Sequence, residues 1–375
     1  MPVFYMQDIL RKSLRKVRHT LWPSPEPWPS RTVYELFPEL KWTELLPEEE
    51  ISTPETEKMN FGATYEHLQR KVYTAPSLKT AVLPDVQFCP NNNIVIGPKK
   101  TVVAESTGPG AKAFNIDWRV LNSTNNGHFI PGPATALRCP FNNHYHLLID
   151  NISRLLLLHN PLFQGGPPVK VLCPGRLSAT EQLLLDHLLP KNARITFLPE
   201  DGLCHIKDYV FLPYPTTRGS GYIHKELLRL YRKRFKIDER ATKSAAPERI
   251  YISRRHATTR QVLNEDDIIP GLKNRGFKVC MLEQMTFEGQ IDLFAGAECV
   301  VGPHGAGLAN ILFSRSTSVL ELFGSTTIRA HYYYLSKALG HKYRNYIASS
   351  EPEEPHRDFT VDRRKFFNNV DELLS

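Results

Sequence analysis

Two histidines and an aspartate stand close together in Cys139-Pro140-Phe141-Asn142-Asn143-His144-Tyr145-His146-Leu147-Leu148-Ile149-Asp150-Asn151. On a helix His146 and Asp150 lie four apart and share a face, so the carboxylate can orient the imidazole or serve as a base itself. A histidine capping a helix start and an aspartate satisfying local backbone would leave the same pattern. A second group of candidates lies far along the chain. Arg254 and Arg260 are forked cations in Ser253-Arg254-Arg255-His256-Ala257-Thr258-Thr259-Arg260, and Asn264 follows them. The run Gly302-Pro303-His304-Gly305-Ala306-Gly307 offers backbone amides and an imidazole, with Glu321 beyond. Guanidinium forks and glycine amides hold phosphate or diphosphate, and a carboxylate such as Glu321 suits ribose hydroxyls. His304 either donates to a phosphate oxygen or braces the turn. A solvated charge run would account for Arg254 and Arg255, but not for the company of Arg260, the glycine turn and Glu321.

These residues need elements that bring them together. The apolar Cys299-Val300-Val301 precedes the glycine turn, and Leu308-Ala309-Asn310-Ile311-Leu312-Phe313 follows it, which predicts strand, tight turn and helix. Glycines there allow positive φ and close backbone approach, and the free amides of the helix start make an anion site. The spacing G-x-x-G-x-G is neither the dinucleotide fingerprint nor a Walker loop. Strands are predicted over 249–253, 277–282, 298–301, 318–323 and 343–348. Helices alternate with them from 265, over 286–295 and over 332–339. That is an open doubly wound α/β sheet, whose ligands bind beyond the carboxyl ends of the strands. Arg254, the glycine turn and Glu321 all stand at such ends.

The first half alternates too, with strands over 169–173, 194–198 and 204–212, and helices over 152–159 and 180–189. Short strands are predicted over 80–83, 93–96, 101–104 and 114–120. A basic helix over 222–235 leads into a polar stretch, 236–248, where a domain boundary is placed. Residues 4–21 carry a basic amphipathic pattern that fits either a surface-lying membrane helix or a terminal helix packed on the body. Prolines crowd 22–54, which suits an extended linker or strap, with Trp22, Trp28 and Trp42 as docking points. The 375 residues carry a net charge of +8, which favours an anionic partner. Six cysteines without a C-x-x-C pair suggest neither a zinc cage nor a disulfide framework, and buried thiols are expected. No apolar run is long enough to span a membrane and no signal core is evident, so a cytoplasmic protein is expected, peripheral at the inner face of the membrane if 4–21 lies on lipid.

Taken in order, Ile252-Ser253-Arg254, Arg260, Asn264-Glu265, Phe287-Glu288-Gly289-Gln290-Ile291, Val301 through Asn310, and Val319-Leu320-Glu321-Leu322 resemble the core of glycosyltransferase family 61. The segment from His144 to Asp150 is similar to the His-and-Asp region in the family's N-terminal half. The likeness covers roughly residues 138–346 and points to a bacterial-type member, related to capsular polysaccharide proteins and to eukaryotic O-linked N-acetylglucosamine transferases. It implies a GT-B architecture, two Rossmann-like doubly wound domains facing across a cleft. It implies inversion by a single displacement, with Asp150 or His146 as base. The donor would be held by Arg254, Arg260, Asn264, Gly302, His304, Gly305, Ala306, Gly307 and Glu321. No cofactor and no metal are implied, the nucleoside-diphosphate-sugar being a substrate, and Asp266-Asp267 lacks the middle residue of a D-x-D motif.

The expected organisation is 1–59 as basic helix and Pro-rich linker, 60–240 as an acceptor-side α/β domain, 241–350 as the nucleotide-sugar domain and 351–375 as a tail. The expected partners are a nucleotide-sugar and a glycan or lipid-linked acceptor, with a membrane surface as a further one if 4–21 lies on lipid, and no nucleic acid. A nucleic-acid-binding protein using the net charge and the basic helix 224–236 is the rival reading, without a recognisable binding motif. A non-catalytic scaffold that binds a sugar nucleotide is another.

Overall fold

The computed structural model describes residues 29–61, 63–109, 127–141, 143–200, 202–216, 220–243, 248–324, 328–348 and 357–375. The helix expected over 4–21, the strand expected over 114–120, and Trp22 and Trp28 lie outside them. Within the described residues the chain is a mixed α/β protein with two principal sheets.

The first sheet uses β1 (Ser30–Arg31), β2 (Thr43–Leu46), β5 (Leu78–Cys89), β6 (Ile94–Gly97), β7 (Thr101–Val103), β8 (Phe129–Ala136), β9 (Val169–Pro174), β10 (Ala193–Leu198) and β11 (Cys204–Phe211). Its order is β1-β7-β6-β5-β11-β8-β9-β10, with β2 on β5. The run β11-β8-β9-β10 is parallel, whereas β11-β5, β5-β6 and β6-β7 are antiparallel. The first half is therefore doubly wound only in part, because tight connections such as the turn between β5 and β6 can join only antiparallel strands. A separate hairpin pairs β3 (Glu49–Ser52) with β4 (Val72–Ala75).

Part of the Pro-rich stretch belongs to the fold rather than spanning it. From residue 30 onward it supplies β1, β2 and β3. Trp42 lies tilted at 4.5 Å from Tyr34 and edge-on at 5.6 Å against Phe211, and Val33 and Phe37 are buried beneath. The basic helix is seen as Lys225–Arg234, and the polar stretch after it forms a further helix, Ile237–Lys243. Buried Ile237 and the pairing of Arg240 with Glu288 and Asp292 anchor that helix, so it is not a plain connector.

The second sheet is wholly parallel: β12 (Glu248–Ile252), β13 (Phe277–Cys280), β14 (Ala297–Pro303), β15 (Ser318–Phe323) and β16 (Lys342–Ile347) in the order β13-β12-β14-β15-β16. Apolar runs such as Cys299-Val300-Val301 are buried, as a strand covered by helices on both faces requires. The chain leaves β12 toward β13 on one side and returns to β14 on the other. The crevice between the ends of β12 and β14 is thus the topological switch point where such sheets bind ligands.

The stretch expected as a tail closes this half. Residues 357–375 end in the helix Arg363–Leu374, whose Phe366, Val370 and Leu373 are buried with Phe359 and Val361 in the second core. Another apolar cluster draws on both halves. The helix His331–Leu339 lays Tyr334 at 4.6 Å from Tyr73, and the Tyr334 hydroxyl donates to the Leu68 carbonyl at 2.5 Å. All six cysteines are free and buried. Among the described residues, no helix is long and apolar enough to cross a membrane.

Candidate functional site

The helical stretch that follows β8 opens at His144–His146, where the Asn143 side chain caps it by accepting from the His146 amide at 3.0 Å. It widens into a π-helical turn over Leu147–Ile152, a distortion frequent at functional sites. Asp150 sits inside that turn, 1% exposed. One of its oxygens lies 2.5 Å from His146 Nδ1 and the other accepts from the Thr216 hydroxyl at 2.6 Å. The two candidates are thereby separated. Asp150 is buried with both oxygens occupied, while the His146 ring is partly exposed between Phe141 and Tyr145. A carboxylate on Nδ1 fixes the tautomer and leaves Nε2 as the acceptor.

At the switch point, Arg254 follows β12 and the glycine turn ends β14. None of Gly302, Gly305 and Gly307 has positive φ, contrary to expectation, and Gly305 is extended at φ −176°. Close packing is what requires them. A Cβ on Gly302 would stand 3.0 Å from Ile252 Cβ, one on Gly305 2.3 Å from Arg254 Nη1, and one on Gly307 2.8 Å from Leu282 Cδ1. Ala306 begins the helix Ala306–Phe313, which has no side-chain cap, so its first amides remain for a ligand. Positive φ appears instead at Arg260, 59°, a conformation that costs energy in a non-glycine residue.

Burial, and then Arg260, lower the Arg254 pKa, and burial followed by the neighbouring Arg329 and Arg357 lowers that of Arg260 against the pull of Tyr332. The buried Arg254 Nε has no hydrogen-bond partner. Cations crowded at a cost to one another are poised for an anion. Arg255, by contrast, is spent on Glu265 and Asp266, each at 2.9 Å. Gly305→Ala is expected to push aside only the flexible end of Arg254. It should change folding stability by less than about 0.5 kcal/mol yet weaken pyrophosphate binding about tenfold, as read by thermal unfolding and calorimetry.

His304 and Glu321 form a second pair, Nδ1 to Oε1 at 2.5 Å, and the Tyr343 hydroxyl donates to Oε2 at 2.6 Å. Glu321 has no exposed surface, so the expectation that it takes ribose hydroxyls gives way to a role as partner of His304. The adjacent strands β14 and β15 bring this about, with Gly302 in register with Glu321. Burial pushes the Glu321 carboxyl up to about 8, against the Tyr343 hydrogen bond and Arg260. Burial, then Arg260, Arg329 and Arg254, hold His304 well below the ordinary imidazole value. At neutral pH the carboxyl proton therefore lies toward Nδ1, and Nε2–H is a donor.

A folded-state pKa raised above its unfolded value contributes stability that is lost as pH rises through the folded value. His304 and His331 are neutral in the folded protein across pH 6.5–8 but partly protonated near pH 6.5 when unfolded, so they add a small opposite contribution that the wild type shares with a Glu321 variant. Relative to Glu321→Gln, the wild type is expected to lose about 2 kcal/mol across that window, in urea unfolding of both proteins against pH.

The two pairs converge through residues that sequence reasoning passed over. His331 lies 6.0 Å from the His304 ring and 5.0 Å from Tyr145, which is 5.3 Å from His146. Burial, then His304, Arg329 and His146, hold its pKa well below the ordinary value. Gly221 lets the helix start approach: its φ is +67° and a Cβ would stand 2.4 Å from the His331 carbonyl oxygen. Arg329 donates to the Tyr65 hydroxyl at 2.8 Å, and Tyr332 donates to the Gly305 carbonyl at 2.6 Å. The one sequence signal is the run His331-Tyr332-Tyr333-Tyr334, where only a helix over 332–339 is expected and His331 is given no part. Asn264 is a correction. Both ends of its amide bond the Val361 backbone, at 2.9 and 3.0 Å, so it latches the C-terminal segment instead of facing a donor.

Beside Arg254 opens a pocket of about 340 Å³ lined by His144, Ile252, Leu282, Gln290, Gly305 and Leu308 among others. Residues 144–320 match the model of the family Glycosyltransferase 61. The matched segment holds His146, Asp150, Arg254, Arg260 and the glycine turn, and ends one residue before Glu321. No curated protein matches the chain.

Proposed function

We propose, from the chain's membership of glycosyltransferase family 61 through residues 144–320, that it transfers a sugar from a nucleoside-diphosphate-sugar to a glycan or lipid-linked acceptor of surface polysaccharide synthesis, with inversion. The observation that carries this reading is the convergence of two histidine–carboxyl pairs with Arg254, Arg260 and Arg329 around His331 and His304. His146 Nε2, with its ring held by Asp150, takes the proton of the acceptor hydroxyl as that oxygen attacks the anomeric carbon. The bond from that carbon to the diphosphate oxygen breaks on the opposite face. Arg254, Arg260 and the amides of Gly305, Ala306 and Gly307 receive the charge that develops there, since Pro303 has no N–H and the His304 amide is taken by the Leu322 carbonyl, and His304 Nε2–H donates to the departing oxygen. Preorganised cations and amides do this without reorganisation during the step.

In this proposal the arrangement is GT-B, with the 60–240 unit selecting the acceptor and the 241–350 unit holding the donor. The test is a panel of nucleoside-diphosphate-sugars, followed by calorimetry and by release of free diphosphate, with and without chelator. Binding of one donor that survives the chelator supports both the activity and its independence of metal. Failure of every donor at low salt would sink the transferase reading.

A further inference from the structure

A line of polar groups runs along the pocket beside Arg254, and its direction is fixed at one end. The Leu282 carbonyl can only accept, and Gln290 Nε2 donates to it at 2.8 Å. Gln290 therefore turns Oε1 toward Asn310, whose Nδ2 donates at 2.7 Å. With its nitrogen so used, Asn310 turns Oδ1 toward His144 Nε2, also at 2.7 Å. Flipping either amide would set donor against donor or oxygen against oxygen, so the chain of bonds has one consistent direction. His144 Nε2 carries the hydrogen.

The consequence lies on the other ring nitrogen. Burial lowers the His144 pKa, so the ring is neutral at physiological pH and Nδ1 is a bare acceptor. Phe287 braces the ring edge-on at 5.5 Å, and Asn310 has no exposed surface, so the imidazole is held from two sides. His144 lines the same pocket as Arg254 and Gly305, the groups suited to phosphate. Glu321, the carboxylate that the sequence offered for ribose, is buried with both oxygens used. The pocket thus keeps an oriented acceptor a short way from its phosphate groups.

We propose that His144 is a specificity-determining residue, whose Nδ1 accepts a hydrogen bond from a ribose hydroxyl of the nucleotide in this pocket, with Asn310 and Gln290 as positioning residues that set its tautomer. The inference rests on the donor-binding reading above. An acceptor locked in this way rejects a ligand that lacks the hydroxyl, because both partners of the bond are then misfit.

The test is calorimetry with ADP, CDP, GDP and UDP on the full chain, followed by the 2′-deoxy and 3′-deoxy analogues of the tightest binder. On the wild type one analogue is expected to bind about tenfold more weakly than its parent. On His144→Phe, which keeps the ring against Phe287, parent and analogue are expected to bind alike. Equal binding of all three by the wild type, or discrimination that persists in His144→Phe, overturns the proposal. Absence of binding by any nucleoside diphosphate to the wild type overturns the donor-binding reading along with it. Nitrogen-15 spectra of the histidine-labelled wild type read the tautomer directly and need no variant to fold: Nε2–H at His144 is expected, and Nδ1–H there overturns the argument.

Discussion

Replacing His146 by alanine is expected to lower kcat by about 10²–10⁴ while leaving the dissociation constant of the sugar-nucleotide donor nearly unchanged. The reason is geometric. Asp150 is buried, and its two oxygens are taken by His146 and by the Thr216 hydroxyl, so it has no free edge from which to reach an acceptor. Asp150→Asn should be almost as damaging by a different route. Thr216 donates to one atom of the group and so favours the amide oxygen there, which turns the amide nitrogen toward His146 Nδ1. That forces the hydrogen of the imidazole onto Nε2, where the lone pair is needed. Rates of sugar transfer against pH, measured beside donor affinity, check both variants. A mild effect of His146→Ala next to a severe one for Asp150→Asn would make the aspartate the base.

The second large effect is expected at Arg254. Its guanidinium lies over Gly305, bonded to the Thr259 carbonyl at 2.9 Å, with Nε unpartnered. Hydrogen bonds to charged groups are worth about 1.5–3 kcal/mol each, so Arg254→Ala should weaken donor binding by about 10- to 100-fold. The loss should appear in kcat/KM more than in kcat, the reverse of the His146 pattern. Folding stability should not fall with it, because the substitution relieves repulsion with Arg260. Arg254→Lys should recover little, since a point charge cannot replace the planar fork. Calorimetry with the donor, thermal unfolding and steady-state kinetics on the three proteins separate these outcomes. A drop in unfolding temperature matching the loss of affinity would instead make the residue structural.

The sequence by itself determined the second sheet and the main actors on it. The apolar runs of β12, β14 and β15 are buried on both sides, the edge strands β13 and β16 only in part, and all five alternate with helices at a spacing that only parallel crossovers satisfy. Residues placed just beyond such strands must share one edge, which is why Arg254, His304 and the glycine turn could be named together. The pairing of His146 with Asp150 was equally legible, since it depends on a spacing of four along one helical stretch.

What the tertiary structure decided were the relations between distant segments. Glu321 and His304 meet because β14 and β15 are neighbours in register, and that contact turns an apparent ribose ligand into a buried partner of an imidazole. Asn264 is claimed by Val361, about a hundred positions along, and His331 enters the site because Gly221 lets its helix start come close. The glycines of the turn exist for the side chains of Arg254, Leu282 and Ile252, not for their own φ, and no local pattern distinguishes those causes. Spacing along the chain fixes periodicity and strand ends. Packing alone fixes which polar atoms are already satisfied, and so which remain to meet a substrate.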